Sequence, residues 1–194
     1  AKIFVRGVAV HPGEGKNALI NAILVLNELI SALPAKETPY DANEDEGYWH
    51  ITSLNGTSES AELDMILRDF DELKLQKRIL FVNEVAIKLK NKYPKISIDV
   101  EIKSQYENMK PYVDKDPRPV ELAKKSLLKN GITPRSTKIR GGTDGARLSY
   151  MGLPCPNVFA GGQNMHSRFE FIPQKSLEKA VEVILKIIEK VRDI

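Results

Sequence analysis

Apolar and polar positions alternate at the start of the chain, where Ile3, Val5, Val8 and Val10 predict a strand over 1–10. The turn signal His11-Pro12-Gly13-Glu14-Gly15 follows, and the period then changes. Leu19, Ala22, Ile23, Leu26, Leu29, Ile30 and Leu33 recur at helical spacing and predict a helix over 17–33. Residues 34–47 are polar and contain Pro34 and Pro39, so they read as a loop. Two strands, 48–54 and 61–70, are expected to join through Asn55-Gly56-Thr57, where Asn-Gly supplies positive φ at little cost. Asp71 is placed to cap a charged helix that runs to about residue 93, with Leu75, Ile79, Val82, Ala86 and Leu89 on one face and Pro94 as the stop. Over 95–103, Ile96, Ile98, Val100 and Ile102 alternate with Ser97, Asp99 and Glu101, the pattern of a half-exposed antiparallel strand.

The resulting order, βαββαβ, is that of a ferredoxin-like sandwich, assigned here to residues 1–106. Residues 107–194 read differently. A connection broken by Pro111 and Pro117 leads to a helix over 120–130 that Gly131 ends. Short strands are expected at 137–140 and 157–160, with a helix start near Ala146 between them. A closing helix over 176–191 carries Leu177, Ala180, Val181, Ile184, Ile187, Ile188 and Val191 on its apolar side. Two helices with wide apolar faces and so few strands form an incomplete α/β segment, because a parallel sheet is normally covered on both faces. The missing strands are expected upstream of Ala1.

Composition narrows the function classes. The net charge of +3 comes from 29 basic and 26 acidic side chains scattered along the chain, with no basic stripe of the kind that nucleic acid selects. No apolar run approaches the roughly 20 residues that span a bilayer. The single Cys155 permits no internal disulfide, which fits a reducing cytoplasm.

Of three histidines, His11 and His166 sit in polar turns at strand ends, while His50, inside a strand beside Trp49, reads as structural. His166 ends Gly161-Gly162-Gln163-Asn164-Met165-His166, in the kind of loop where α/β sheets place ligands; the alternative is a solvated loop histidine. Arg140-Gly141-Gly142-Thr143-Asp144-Gly145 brings a fork-shaped cation, two glycines and a helix start together, and would suit a carboxylate or a phosphate; the alternative is an ordinary strand-to-helix turn. Asn108 lies just beyond the last strand of the first domain. Zinc needs about three or four protein ligands, and no clustered set can be read from the sequence.

Taken in order, Val10-His11-Pro12-Gly13, Leu67-Arg68-Asp69-Phe70-Asp71, Tyr106-Glu107-Asn108-Met109, residues 139–146, residues 151–157 and Gly161-Gly162 to His166 resemble the aminotripeptidase (peptidase T) family of co-catalytic two-zinc exopeptidases, the group that includes carboxypeptidase G and aminoacylase. The resemblance covers essentially the whole chain but only the C-terminal half of such an enzyme. It implies that residues 1–106 are a lid and dimerisation domain and that 107–194 belong to the zinc-exopeptidase catalytic domain. It further implies His166 as the last zinc ligand, His11 as the lid histidine reaching the scissile carbonyl within its own subunit or across a dimer, and Arg140, Thr143 and Asn108 as substrate-binding residues. Two zinc ions per intact subunit are implied, with the remaining ligands and the general base upstream of Ala1. The expected partners are tripeptides and a second subunit, and the 194-residue chain alone is expected to be inactive. In this family the histidine motif continues His-Gly, whereas here it reads His166-Ser167, and the roles of Asp144 and Glu170 stay open. The rival readings are a deacylase or carboxypeptidase of the same superfamily and a non-enzymatic ferredoxin-like interaction module.

Overall fold

The computed structural model describes residues 1–43 and 45–191; Glu44, inside the expected 34–47 loop, lies outside the described residues. The chain divides into two compact units, Ala1–Ser104 and Gln105–Ile194.

The first unit is built from β1 (Lys2–Arg6), a 3₁₀ turn (Pro12–Glu14), α1 (Ala22–Ala32), β2 (Tyr48–Gly56), β3 (Ser60–Arg68), α2 (Glu72–Lys92) and β4 (Ser97–Glu101). Its four strands form one antiparallel sheet in the order β2-β3-β1-β4, the ferredoxin-like arrangement that the βαββαβ pattern predicts. Register follows the alternation: Ile3 stands opposite Leu63 and Val100, and Val5 opposite Ala61 and Ile98. Since side chains alternate across a strand, these residues share one face, which α1 covers with Val25, Leu26 and Leu29 and α2 with Val82, Val85, Ala86 and Leu89. Ile3, Val5, Leu26, Leu29, Leu63 and Val82 are completely buried.

Three boundaries differ from the sequence pattern. The first helix begins at Ala22, not residue 17, because Asn17 takes a left-handed φ of 59° and Ile20 pairs with Val8 as an isolated bridge. Asn21 then caps it, accepting from the Ile23 amide at 2.9 Å. The hairpin does not turn at Asn55-Gly56: both residues stay in the ladder, opposite Glu62 and Ala61, and neither has positive φ. The turn lies instead at Thr57-Ser58-Glu59, where the Thr57 hydroxyl accepts from the amides of Glu59 and Ser60 at 3.2 Å each. Thr52 bulges from β2 between Ile51 and Ser53, which re-aims the end of that strand.

Asp71 caps α2 as its position predicts, with Oδ1 accepting from the amides of Leu73 (2.8 Å) and Lys74 (3.1 Å). Beside this start, Arg78 pairs with Glu37 and, at 3.3 Å, with Asp69, whose side chain is only 3% exposed. The Trp49 indole donates to the same Glu37 carboxylate at 3.2 Å, and the Arg78 guanidinium lies 5.2 Å from the Trp49 ring centroid. This network fastens the 34–47 loop to the sheet and to α2.

The second unit contains α3 (Lys110–Val113), α4 (Arg118–Lys129), α5 (Asp144–Tyr150) and α6 (Gln174–Val191). Pro111 does not break the chain; it sits in the first turn of α3, where its missing N–H costs nothing. Gly131 ends α4 with a φ of +71°. The strands expected at 137–140 and 157–160 do not form: a strand exists by pairing, and among the described residues of this unit the only paired backbone is the isolated bridge Gln163↔Phe171. Leu177, Val181, Ile184, Ile188 and Val191 on α6 accordingly remain about half exposed.

Candidate functional site

His11 is the N-cap of the 3₁₀ turn, and its Nδ1 accepts from the Gly13 amide at 3.1 Å. An accepting Nδ1 carries no proton, so in the neutral imidazole the proton resides on Nε2. The turn therefore presents an exposed N–H donor whose tautomer the backbone fixes.

In the second unit the structure gathers Arg140, Thr143 and the segment around Asn108. The Tyr106 hydroxyl donates to the Arg140 carbonyl at 3.1 Å. Its ring lies so close to Gly142 that an added Cβ would stand 2.6 Å from Tyr106 Cδ1, so this glycine is required by a close approach. Thr143 caps α5: its Oγ1 accepts from the Ala146 amide (3.1 Å) and from Asn157 Nδ2 (3.2 Å). With both lone pairs used, the hydroxyl retains its own proton to donate. Asn108 likewise spends its side-chain oxygen on the Lys110 amide at 2.9 Å, opening α3 and leaving its NH₂ as the donor end.

A clamp of aromatic side chains holds this cluster. Tyr112 and Tyr150 pack with ring centroids 5.0 Å apart. The Tyr112 hydroxyl donates to the Glu107 carboxylate at 2.9 Å, which raises the phenol's pKa, and Tyr150 donates to the Glu107 carbonyl. Buried Ser149 bridges α5 to the 151–157 segment, donating to the Gly145 carbonyl (2.7 Å) and accepting from the Cys155 amide (2.9 Å). Tyr106, Tyr150 and Asn157 are thus supports that sequence reasoning did not single out. Tyr106 stands two residues before Asn108 in the same motif, which is the signal that could have found it, whereas the 151–157 motif that Asn157 closes supplies none of the expected site residues.

His166 occupies the tip of a separate loop closed by a two-way backbone pair between Gln163 and Phe171 (2.8 and 3.2 Å). It holds a left-handed φ of 66°, and its amide donates to Glu170 Oε2 at 2.8 Å. Glu170 thus grips the backbone of His166, which leaves the imidazole outward and exposed. Among the described residues no group of three or more His, Cys, Asp and Glu side chains could hold a metal ion. One exposed imidazole does not make a zinc centre, so the described residues do not by themselves fit that group. A shallow, open depression on the first unit, lined by residues including Trp49, Arg78 and Phe81, contains none of the expected site residues.

The sheet and helices that carry His11 match the peptidase dimerisation domain over residues 1–97, and the chain belongs to that family. Its likeness runs further than this domain. It is 48% identical to peptidase T of Halothermothrix orenii over 189 residues, covering 97% of this chain and 46% of that protein. The chain therefore spans a little under half the length of the curated relatives it matches. Among solved structures it resembles a tripeptidase from Staphylococcus aureus, with a TM-score of 0.71 at 17% identity over 98% of this chain and 50% of that one. It also resembles a dinuclear metal-binding peptidase of the M20 family from Bacillus subtilis, with a TM-score of 0.58 at 18% identity over 98% of this chain and 48% of that one. At such identities the structural likeness speaks to the fold.

Proposed function

We propose that this chain supplies the lid, over 1–106, and one flank of the catalytic domain, over 107–194, of a zinc-dependent aminotripeptidase that releases the N-terminal residue of tripeptides. The observation that carries the reading is the 48% identity to a peptidase T across nearly the whole chain. The intact enzyme works in the cytoplasm as a homodimer joined through the lid. His11 donates from Nε2 to the oxygen of the scissile carbonyl, a role that its accepting Nδ1 suits. Arg140 grips the substrate's C-terminal carboxylate, and the free proton of Thr143 and the amide of Asn108 supply further donors to the same end of the peptide. His166 is one ligand of the zinc centre, whose other ligands are not found among the described residues.

The test compares hydrolysis of a tripeptide and its N-acetylated form by the full-length protein, with and without chelator. Zinc-restored cleavage confined to the free amine is expected. Equal cleavage of the acetylated peptide would make the enzyme a deacylase or carboxypeptidase instead. The 194-residue chain by itself is expected to show no turnover, and zinc-dependent turnover by that chain, free of full-length protein, would overturn the division of ligands.

A further inference from the structure

Arg140 stands on a stretch whose own backbone does little to hold it. Among the described residues, 133–142 make no backbone-to-backbone hydrogen bond, and regular structure resumes only with α5 at Asp144. A guanidinium that reads a carboxylate through two parallel bonds needs its backbone fixed, because the fork tolerates little displacement. A side chain from another segment supplies that fixing. Half-buried Tyr106 reaches across 34 positions of sequence: its hydroxyl donates to the Arg140 carbonyl at 3.1 Å, and its ring fills the space that a side chain at residue 142 would need.

Tyr106 stands two residues before Asn108, so one side chain joins the two runs that carry the proposed substrate donors. A second bridge runs beside it, with Asn157 Nδ2 lying 3.2 Å from Thr143 Oγ1 and 3.6 Å from the Sδ of Met109, the residue after Asn108. The run 106–109 is itself anchored to α5, because Tyr150 donates to the Glu107 carbonyl. We propose that Tyr106 is a positioning residue for substrate recognition: it fixes Arg140 at a set distance from Asn108 and acts on the peptide only through Arg140. Tyr106 needs no contact with the peptide, since its hydroxyl proton is spent on the Arg140 carbonyl. The proposal rests on the reading of Arg140 as the group that grips the substrate's C-terminal carboxylate.

The test measures kcat/KM of the full-length protein for a tripeptide and for its C-terminal amide, in wild type, Tyr106→Phe, Arg140→Met and the double variant. Tyr106→Phe keeps the ring against Gly142 and removes one neutral hydrogen bond, so the acid-to-amide ratio should fall about threefold to tenfold, carried by KM rather than kcat. In the Arg140→Met background the same change should leave the ratio where Arg140→Met has put it, because a residue that acts through another then has nothing to act on. Gly142→Ala supplies a second perturbation: its Cβ displaces the Tyr106 ring, so the ratio should fall in wild type and change little further once Tyr106→Ala has made room. If Arg140→Met erases the ratio while Tyr106→Phe and Gly142→Ala leave it untouched, or lower both substrates in proportion, the positioning role is overturned and the carboxylate reading stands. A fall from Tyr106→Phe as large in the Arg140→Met background as in wild type would also overturn it. A wild type that takes acid and amide alike would overturn both.

Discussion

Replacing Asp69 by Asn tests whether the network at the start of α2 is what fastens the 34–47 loop. The substitution changes almost no volume, so no cavity enters the account. It swaps an acceptor that is charged, and only 3% exposed, for an amide with one acceptor and one donor end. Asp69 now accepts from Arg78 Nε at 3.3 Å and from the Asp71 amide at 3.1 Å. An asparagine keeps one of these acceptances and turns its NH₂ toward the other donor. A charge-assisted hydrogen bond is worth about 1.5–3 kcal/mol, and removing one member of a fully buried pair costs about 3–5 kcal/mol. Arg78 keeps Glu37 and the face of Trp49, so the lower range applies and the expected loss is about 1.5–3 kcal/mol. The assay is urea unfolding followed by the fluorescence of Trp49, the chain's one tryptophan, which is buried against this network. In an Arg78→Met background the same change should cost well under about 1 kcal/mol, because the asparagine Oδ1 can keep the one remaining bond, from the Asp71 amide. A loss below about 0.5 kcal/mol for both Asp69→Asn and Asp69→Ala would refute the reasoning and reduce the ion pairs to surface ornaments.

In the full-length protein, His11→Ala should lower kcat by roughly 10²-fold or more at unchanged metal content, the scale of one lost oxyanion donor; an unchanged kcat would leave His11 a turn residue. Arg140→Met should erase the preference for a tripeptide over its C-terminal amide, read as the ratio of kcat/KM values, with Arg140→Lys restoring only part of it because a point charge lacks the fork. Hydrogen bonds from Lys92 and then Tyr93 hold the Glu28 carboxyl below the usual carboxylate range, a depressed folded value. Its stabilisation is therefore present above the ordinary value of about 4.3 and is lost as the pH falls through the lowered one. Glu28→Gln should accordingly narrow the stability gap between neutral and acidic pH, and an identical pH profile in denaturant melts would count against the pair.

Much of the first unit was legible because its signals are local and repeated. Strict alternation in Ile96, Ile98 and Val100 names a strand, Asp71 names a cap, and Pro94 names a stop. The helix start was misjudged because Leu19 fits the helical period while Asn17 and Ile20 answer to a left-handed turn and a bridge to Val8, contacts that no window of sequence contains. Asn55-Gly56 misled for the same reason: the Thr57 hydroxyl offers the backbone a competing turn. Residues 137–140 and 157–160 carry strand-like composition, yet pairing decides a strand and neither finds it among the described residues. At the candidate site, residue types pointed to donors and ligands but not to what already occupies them. That Thr143 and Asn108 use their oxygens as caps, and that Glu170 holds the amide of His166, depends on geometry alone.

The central position of β1 also sets a clock on the ribosome. Val5 pairs with Ala61 on one side and with Ile98 on the other, so its second edge waits for a residue synthesised 98 − 5 = 93 positions later. At about 5–20 residues per second that wait is roughly 5–20 s. Throughout it a row of unpaired amides and carbonyls stands open to any neighbouring nascent chain with the same sequence. Late closure by β4 makes the sheet a slow, high-contact-order step, and it is during this interval, before the finished sheet exists, that the chain is most exposed to mispairing and to chaperone capture.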